Sequence, residues 1–135
     1  MALQGYIYDD TCIADAAISA FRVVVAGESV DENGAKHVKL PAAQDANAII
    51  GITQNSTSAS GDIVLVRRAG ITKLTVSSAN VTYGVPLRPF NILGHADVQA
   101  AAWASGDGVI GYAEGASAAS GDIIECWLAI QTLLG

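Results

Sequence analysis

Ile50-Gly51 followed by Ala59-Ser60-Gly61-Asp62-Ile63, and Ile110-Gly111 followed by Ala119-Ser120-Gly121-Asp122-Ile123, are two versions of one phrase. Every matched position lies sixty residues from its counterpart, across a Ser/Ala-rich gap of equal length. Each copy reads as a strand, a loop of small residues, a Ser-Gly-Asp turn and a second strand, because Gly and Asp are the residues that tight turns select. The chain therefore uses one hairpin twice. Two copies fall short of the three or more stacked units that a solenoid requires, which points to a single domain built from two related ribbons.

Working outward, Phe21-Arg22-Val23-Val24-Val25 is a β-branched run, and Asn33-Gly34 is a pair that tolerates the positive φ of a hairpin turn. A returning strand through Val38 and Leu40 should stop near Pro41, which lacks a backbone donor. Further strands read at residues 49–53, 63–67, 71–76, 86–90, 109–113 and 123–130. Short strands with Gly- and Ser-rich connections and no long amphipathic helix indicate a mainly β domain, a small sandwich or barrel with little helix. The alanines of Asp97-Val98-Gln99-Ala100-Ala101-Ala102-Trp103 suit a single short helix. Residues 1–20 are set off as an N-terminal arm, leaving 21–135 as the domain; a first strand packed in its own core is the competing reading of that tract.

Composition narrows the function. Charged residues are 15% of the chain against roughly 25% in ordinary soluble domains, while hydrophobic residues reach 51%. Less surface is protected by charge than usual, so a homo-oligomer or a covering partner is expected. Seven scattered basic residues against thirteen acidic ones give a net charge of −6, which disfavours nucleic acid and anionic membranes alike. No apolar run reaches the ~18 residues of a membrane span, and Met1-Ala2-Leu3-Gln4-Gly5 lacks the progression of a signal peptide, so synthesis in a cytosol-like compartment is expected.

No catalytic, cofactor or metal site is legible. Ser60-Gly61-Asp62 and its repeat lack an imidazole to take a proton, since His37 and His95 stand in no recognisable relation to a serine. The spacing of Ser105-Gly106-Asp107-Gly108 is neither that of a calcium loop nor that of a phosphate-binding loop. Asp62 and Asp122 serve an enzyme only if the pseudo-symmetric fold brings them together. Cys12 and Cys126 read as buried thiols with no C-x-x-C, although a bridge between the termini remains open. Tyr6, Ile7 and Tyr8 beside Asp9 and Asp10 form the candidate contact segment of the arm, aromatic anchors next to carboxylates that can pair with a partner. Among the other aromatics, Tyr83, Tyr112 and Trp103 are candidate anchors, and Trp127, in an apolar strand, is expected in the core.

The order Ile50-Gly51-Ile52-Thr53, Ser60-Gly61-Asp62-Ile63-Val64, Gly70-Ile71, Val81-Thr82-Tyr83-Gly84-Val85-Pro86-Leu87, Ile110-Gly111-Tyr112-Ala113 and Ala118-Ala119-Ser120-Gly121-Asp122-Ile123 resembles the capsid cement, or head decoration, proteins of tailed bacteriophages. The likeness spans roughly residues 20 to 130. It implies a non-enzymatic virion protein, a homotrimer on the outside of the head that clamps neighbouring major capsid subunits, with no small-molecule substrate and no cofactor. A tail or fibre component that binds a host surface or a carbohydrate is the alternative.

Overall fold

The computed structural model describes residues 7–27, 34–42, 49–98 and 108–132. Nine strands run in order: β1 (Tyr8–Ala14), β2 (Val23–Ala26), β3 (His37–Lys39), β4 (Ile49–Thr53), β5 (Ile63–Thr75), β6 (Pro86–Pro89), β7 (Ala96–Val98), β8 (Gly108–Ala113) and β9 (Ile123–Thr132). No helix occurs among the described residues.

The first half closes into a five-stranded barrel, β1-β3-β2-β4-β5, because β1 also pairs with β5. Its pairings are antiparallel except β1 with β3, where Ala14 stands opposite Val38. The second half repeats the circuit as β5-β9-β8-β6-β7. There a parallel bridge between Val76 and Ala96 returns β7 to the end of β5. The thirteen-residue β5 thus serves both barrels. Its first half pairs with β1 and β4, its second with β9. Gly70, at φ +98°, is the joint between the two pairings. A side chain would be strained in that conformation, and glycine is not.

Alternation explains why these segments are strands. In β5, Val64, Val66, Thr72 and Leu74 point inward and Ile63, Leu65, Ile71 and Lys73 outward. The first barrel is filled by Cys12, Ala14, Ile18, Val24, Val38, Val64 and Val66. The second cluster contains Leu74, Val76, Leu87, Ile110, Ile124, Cys126 and Leu128, and it also takes in Val23, Ile49 and Ile52 from strands of the first barrel. The outer face of β2 and β4 is thereby buried against the second barrel. Each fully buried aliphatic side chain contributes about 1.5–3 kcal/mol, so this shared cluster joins the halves into one packed body.

The repeated turn is now explained. The Asp62 carboxylate accepts hydrogen bonds from the backbone N–H groups of Ser58 and Ala59 at 3.0 and 3.1 Å. Asp122 does the same with Ala118 and Ala119 at 2.7 and 3.0 Å. Gly61 and Gly121 take φ values of +95° and +91°. Their N–H groups clip the turns to the carbonyls of Ala14 and Val76, each at 2.8 Å.

Three expectations change. The N-terminal tract is not an arm over Tyr8–Ala14 but a strand of the first barrel, held because Cys12 and Ala14 fill that core; residues 1–6 lie outside the described residues. The helix expected at 97–103 is replaced at Asp97 and Val98 by β7, which pairs with β6, and the remaining positions lie outside the described residues. The separate strands expected at 63–67 and 71–76 are one strand, since a glycine joint bends the ladder without ending it.

Candidate docking surface

β1 presents its contact candidates unevenly. Ile7 and Tyr8 are exposed, and Tyr6 lies outside the described residues. Asp9 points out and is clamped by Arg67, with Nε to Oδ1 at 2.8 Å and Nη2 to Oδ2 at 3.1 Å. Asp10 shares the inward side with Cys12, where Lys36 Nζ and Arg68 Nη1 donate to Oδ2 at 3.0 and 3.3 Å. The Lys36 hydrogen bond, helped by Arg68, holds the Asp10 carboxyl below the usual carboxylate range against the opposing effect of burial. Both carboxylates are thus committed within the chain, and they fasten β1 rather than reach outward.

A different surface stands out on the second barrel. Register places Pro86 opposite Tyr112, Tyr112 opposite Trp127, and Trp127 opposite Ile71. The four form one row across β6, β8, β9 and β5. Trp127 is 57% exposed, Tyr112 41% and Ile71 40%. Along β9 the inward positions are Ile124, Cys126 and Leu128, so Trp127 shares the outward side with Glu125. The core placement expected for Trp127 is therefore corrected: its parity on the strand sends it to solvent. Beside the row, Lys73 stands opposite Glu125, and Lys73 Nζ lies 5.9 Å from the centre of the Phe21 ring. A shallow groove lined by Phe21, Gln54, Arg67, Ile71, Lys73 and Glu125 borders the apolar row. Tyr83 is exposed at a turn away from the strands, while Trp103 lies outside the described residues. Large aromatics on a rigid sheet face are the side chains that carry binding energy at protein contacts.

The chemistry-bearing groups do not converge. Ile123 pairs with Thr75 and Asp62 directly precedes Ile63. The two Ser-Gly-Asp turns accordingly sit at opposite ends of β5, and Asp62 and Asp122 cannot share a reaction. His37 Nδ1 lies 2.7 Å from Asp15 Oδ1, a contact that ties β3 to the end of β1. Burial, reinforced by Arg22, lowers the His95 pKa and favours the neutral ring. Cys12 and Cys126 are free thiols in the two separate cores, which removes the bridge between the termini. Burial pushes the Cys126 thiol up to about 12. Among the described residues no cluster of three or more His, Cys, Asp or Glu side chains is arranged to hold a metal ion.

No family model and no curated protein matches the chain. Among solved structures, the head fiber gp8.5 N base of bacteriophage phi29 superposes with a TM-score of 0.67. That match covers 96% of this chain and 100% of that chain at 16% sequence identity. At this level of identity the likeness is one of fold: the two-barrel chain is built like the phi29 head fiber base from end to end.

Proposed function

We propose that the chain is a structural protein of a phage head, a decoration protein that binds the outer surface and stabilises contacts between major capsid subunits. The observation that carries this reading is the end-to-end fold likeness to a phage head fiber base, which joins the resemblance of its sequence to the head decoration proteins. The exposed aromatic row on a rigid barrel suits protein–protein contact. In this reading the protein performs no catalysis, takes no cofactor and acts as a homotrimer.

The mechanism is mass action. A ligand that binds the expanded lattice but not its disrupted or immature form stabilises the lattice by RT ln(1 + [L]/Kd), which is about 2.7 kcal/mol at a hundredfold excess over Kd. Linking several copies adds avidity wherever the geometry lets all of them engage. Co-sedimentation with heads stripped of decoration tests the proposal. Binding to expanded heads, with a rise in the temperature at which they break, is the expected result; failure to bind expanded heads overturns it.

A second reading, a base from which a fibre projects, is favoured by the nature of the structural neighbour. Electron microscopy of decorated heads separates the two: projections beyond the barrels support the fibre base, and a low cap spanning neighbouring subunits supports cementing.

A further inference from the structure

Tyr112 and Trp127 stand directly opposite each other on β8 and β9, and both rings are exposed. Two positions further along β9, and so on the same outward side, Ala129 is too small to fill the space between them. The three residues line an open slot on the side of Trp127 away from Glu125. This slot holds no charged side chain. Its polar side-chain groups are the Trp127 indole N–H, which only donates, and the Tyr112 hydroxyl, which can also donate. Neither makes a hydrogen bond to another described residue. The strands beneath are paired on both sides, β8 between β6 and β9 and β9 between β8 and β5, so no backbone edge is open here to an added strand.

We propose that the Tyr112–Trp127–Ala129 slot binds a proline-rich segment of a partner protein in the polyproline II conformation. Hydrogen-bond complementarity favours this occupant. An ordinary extended peptide laid over the slot would bring backbone N–H groups that lose water and gain no strong acceptor. Proline brings no N–H, its ring fills apolar space between two aromatic faces, and its carbonyl accepts from the two free donors. The polyproline II helix has no internal hydrogen bonds and is already formed before binding, so little ordering opposes the contact. The segment comes from another protein, because the chain's three prolines are part of its own fold: Pro41 and Pro89 are buried, and Pro86 and Pro89 belong to β6. This inference rests on the geometry of the slot and is independent of the capsid reading.

Titration with soluble decaproline, followed by NMR of the ¹⁵N-labelled protein, tests the proposal, with a decapeptide of glycine and serine as the control. The Trp127 indole N–H and the Ala129 amide should shift saturably with decaproline and not with the control; Trp103→Phe leaves one indole signal and so assigns it. Trp127→Ala should weaken binding about tenfold or more. Tyr112→Phe, which removes only the hydroxyl, should weaken it a few-fold, and it serves as the second variant should Trp127→Ala fail to fold. No saturable shift with decaproline overturns the inference. So do equal shifts with the control, or a folded Trp127→Ala that binds decaproline as the wild type does. A neutral oligosaccharide, cellotriose, is titrated in parallel: if it moves the Trp127 indole and decaproline does not, the slot is a sugar platform and the inference falls. Binding to expanded heads without binding to decaproline also overturns it and leaves the capsid reading intact, whereas decaproline binding by a protein that ignores expanded heads removes the capsid reading and leaves this one standing.

Discussion

Gly51 and Gly111 face the barrel interiors where β4 and β8 press against the next strand. A Cβ on Gly51 would fall on the Arg67 carbonyl, and one on Gly111 on the Trp127 carbonyl. The obstacle is backbone, so Gly111→Ala must spread β8 from β9, and we expect a loss of about 3 kcal/mol in denaturant unfolding. Gly84 is the control. It sits at φ +88° with nothing within 4 Å of an added Cβ, so Gly84→Ala should cost about 1 kcal/mol through backbone conformation alone. Equal losses at the two sites would refute the steric account. Phe21 occupies the matching place in the first barrel: its N–H donates to the Thr53 carbonyl as that of Gly84 donates to Ala113. There a phenylalanine adopts φ +62°. Nothing in the residue type announces that turn, because aromatic residues do not favour positive φ, and it is legible only by aligning the repeats. The thiols behave as their residue type suggests. Burial raises both pKa values, so Cys12 and Cys126 stay protonated and shielded. A disulfide reagent should modify neither in the native protein at mildly alkaline pH and both in denaturant, whereas rapid native labelling would contradict the buried placement.

At the level of elements, the repeated turn was the most legible part of the chain, and its chemistry makes a pH prediction. Backbone N–H groups of Ser58 and Ala59 favour the charged form of Asp62 and lower its pKa below the ordinary 3.8. A depressed folded-state pKa contributes stability that is complete above the unfolded value and disappears as the pH falls through the folded one. The thermal midpoint of Asp62→Ala should therefore lie below that of the wild type at neutral pH, with the gap closing in strong acid. A gap of constant size across that range would show that the carboxylate charge contributes nothing. The outward side of β9 was misread at Trp127, although the signal was there: Glu125 marks the parity of the solvent face and the repeat aligns Trp127 with Arg67. Hydrophobicity alone sends a tryptophan inward; period-two alternation decides otherwise. The continuity of β5 was not legible. Arg68-Ala69-Gly70 reads as a break, and only tertiary pairing with β1 on one side and β9 on the other carries the strand through. The arginine partners of Asp9 and Asp10 were hidden for a similar reason, because Arg67 and Arg68 come from a strand more than fifty positions away.

Two barrels that share a strand can unfold as one body or as two, and the packing decides between them. Val23, Ile49 and Ile52 belong to strands of the first barrel but lie in the cluster that fills the second. Opening the first barrel would strip those side chains away and expose Leu74, Val76 and Ile110, so the second barrel cannot keep its core alone. β5 adds a covalent reason, since its two halves are continuous through Gly70. We therefore expect a single cooperative transition, as small domains of this length usually show. The chain carries a reporter in each half: Cys12 lies in the first core, and Trp127 stands on the second barrel. In a Trp103→Phe chain, Trp127 emission should follow the second barrel while alkylation of Cys12 follows the first, and the two denaturation curves should coincide. Val66→Ala, a cavity in the first core, should then move both curves together by about 2 kcal/mol. A Cys12 curve that moves alone would show two separately folding barrels, and β5 would then be a tether between domains instead of the spine of one.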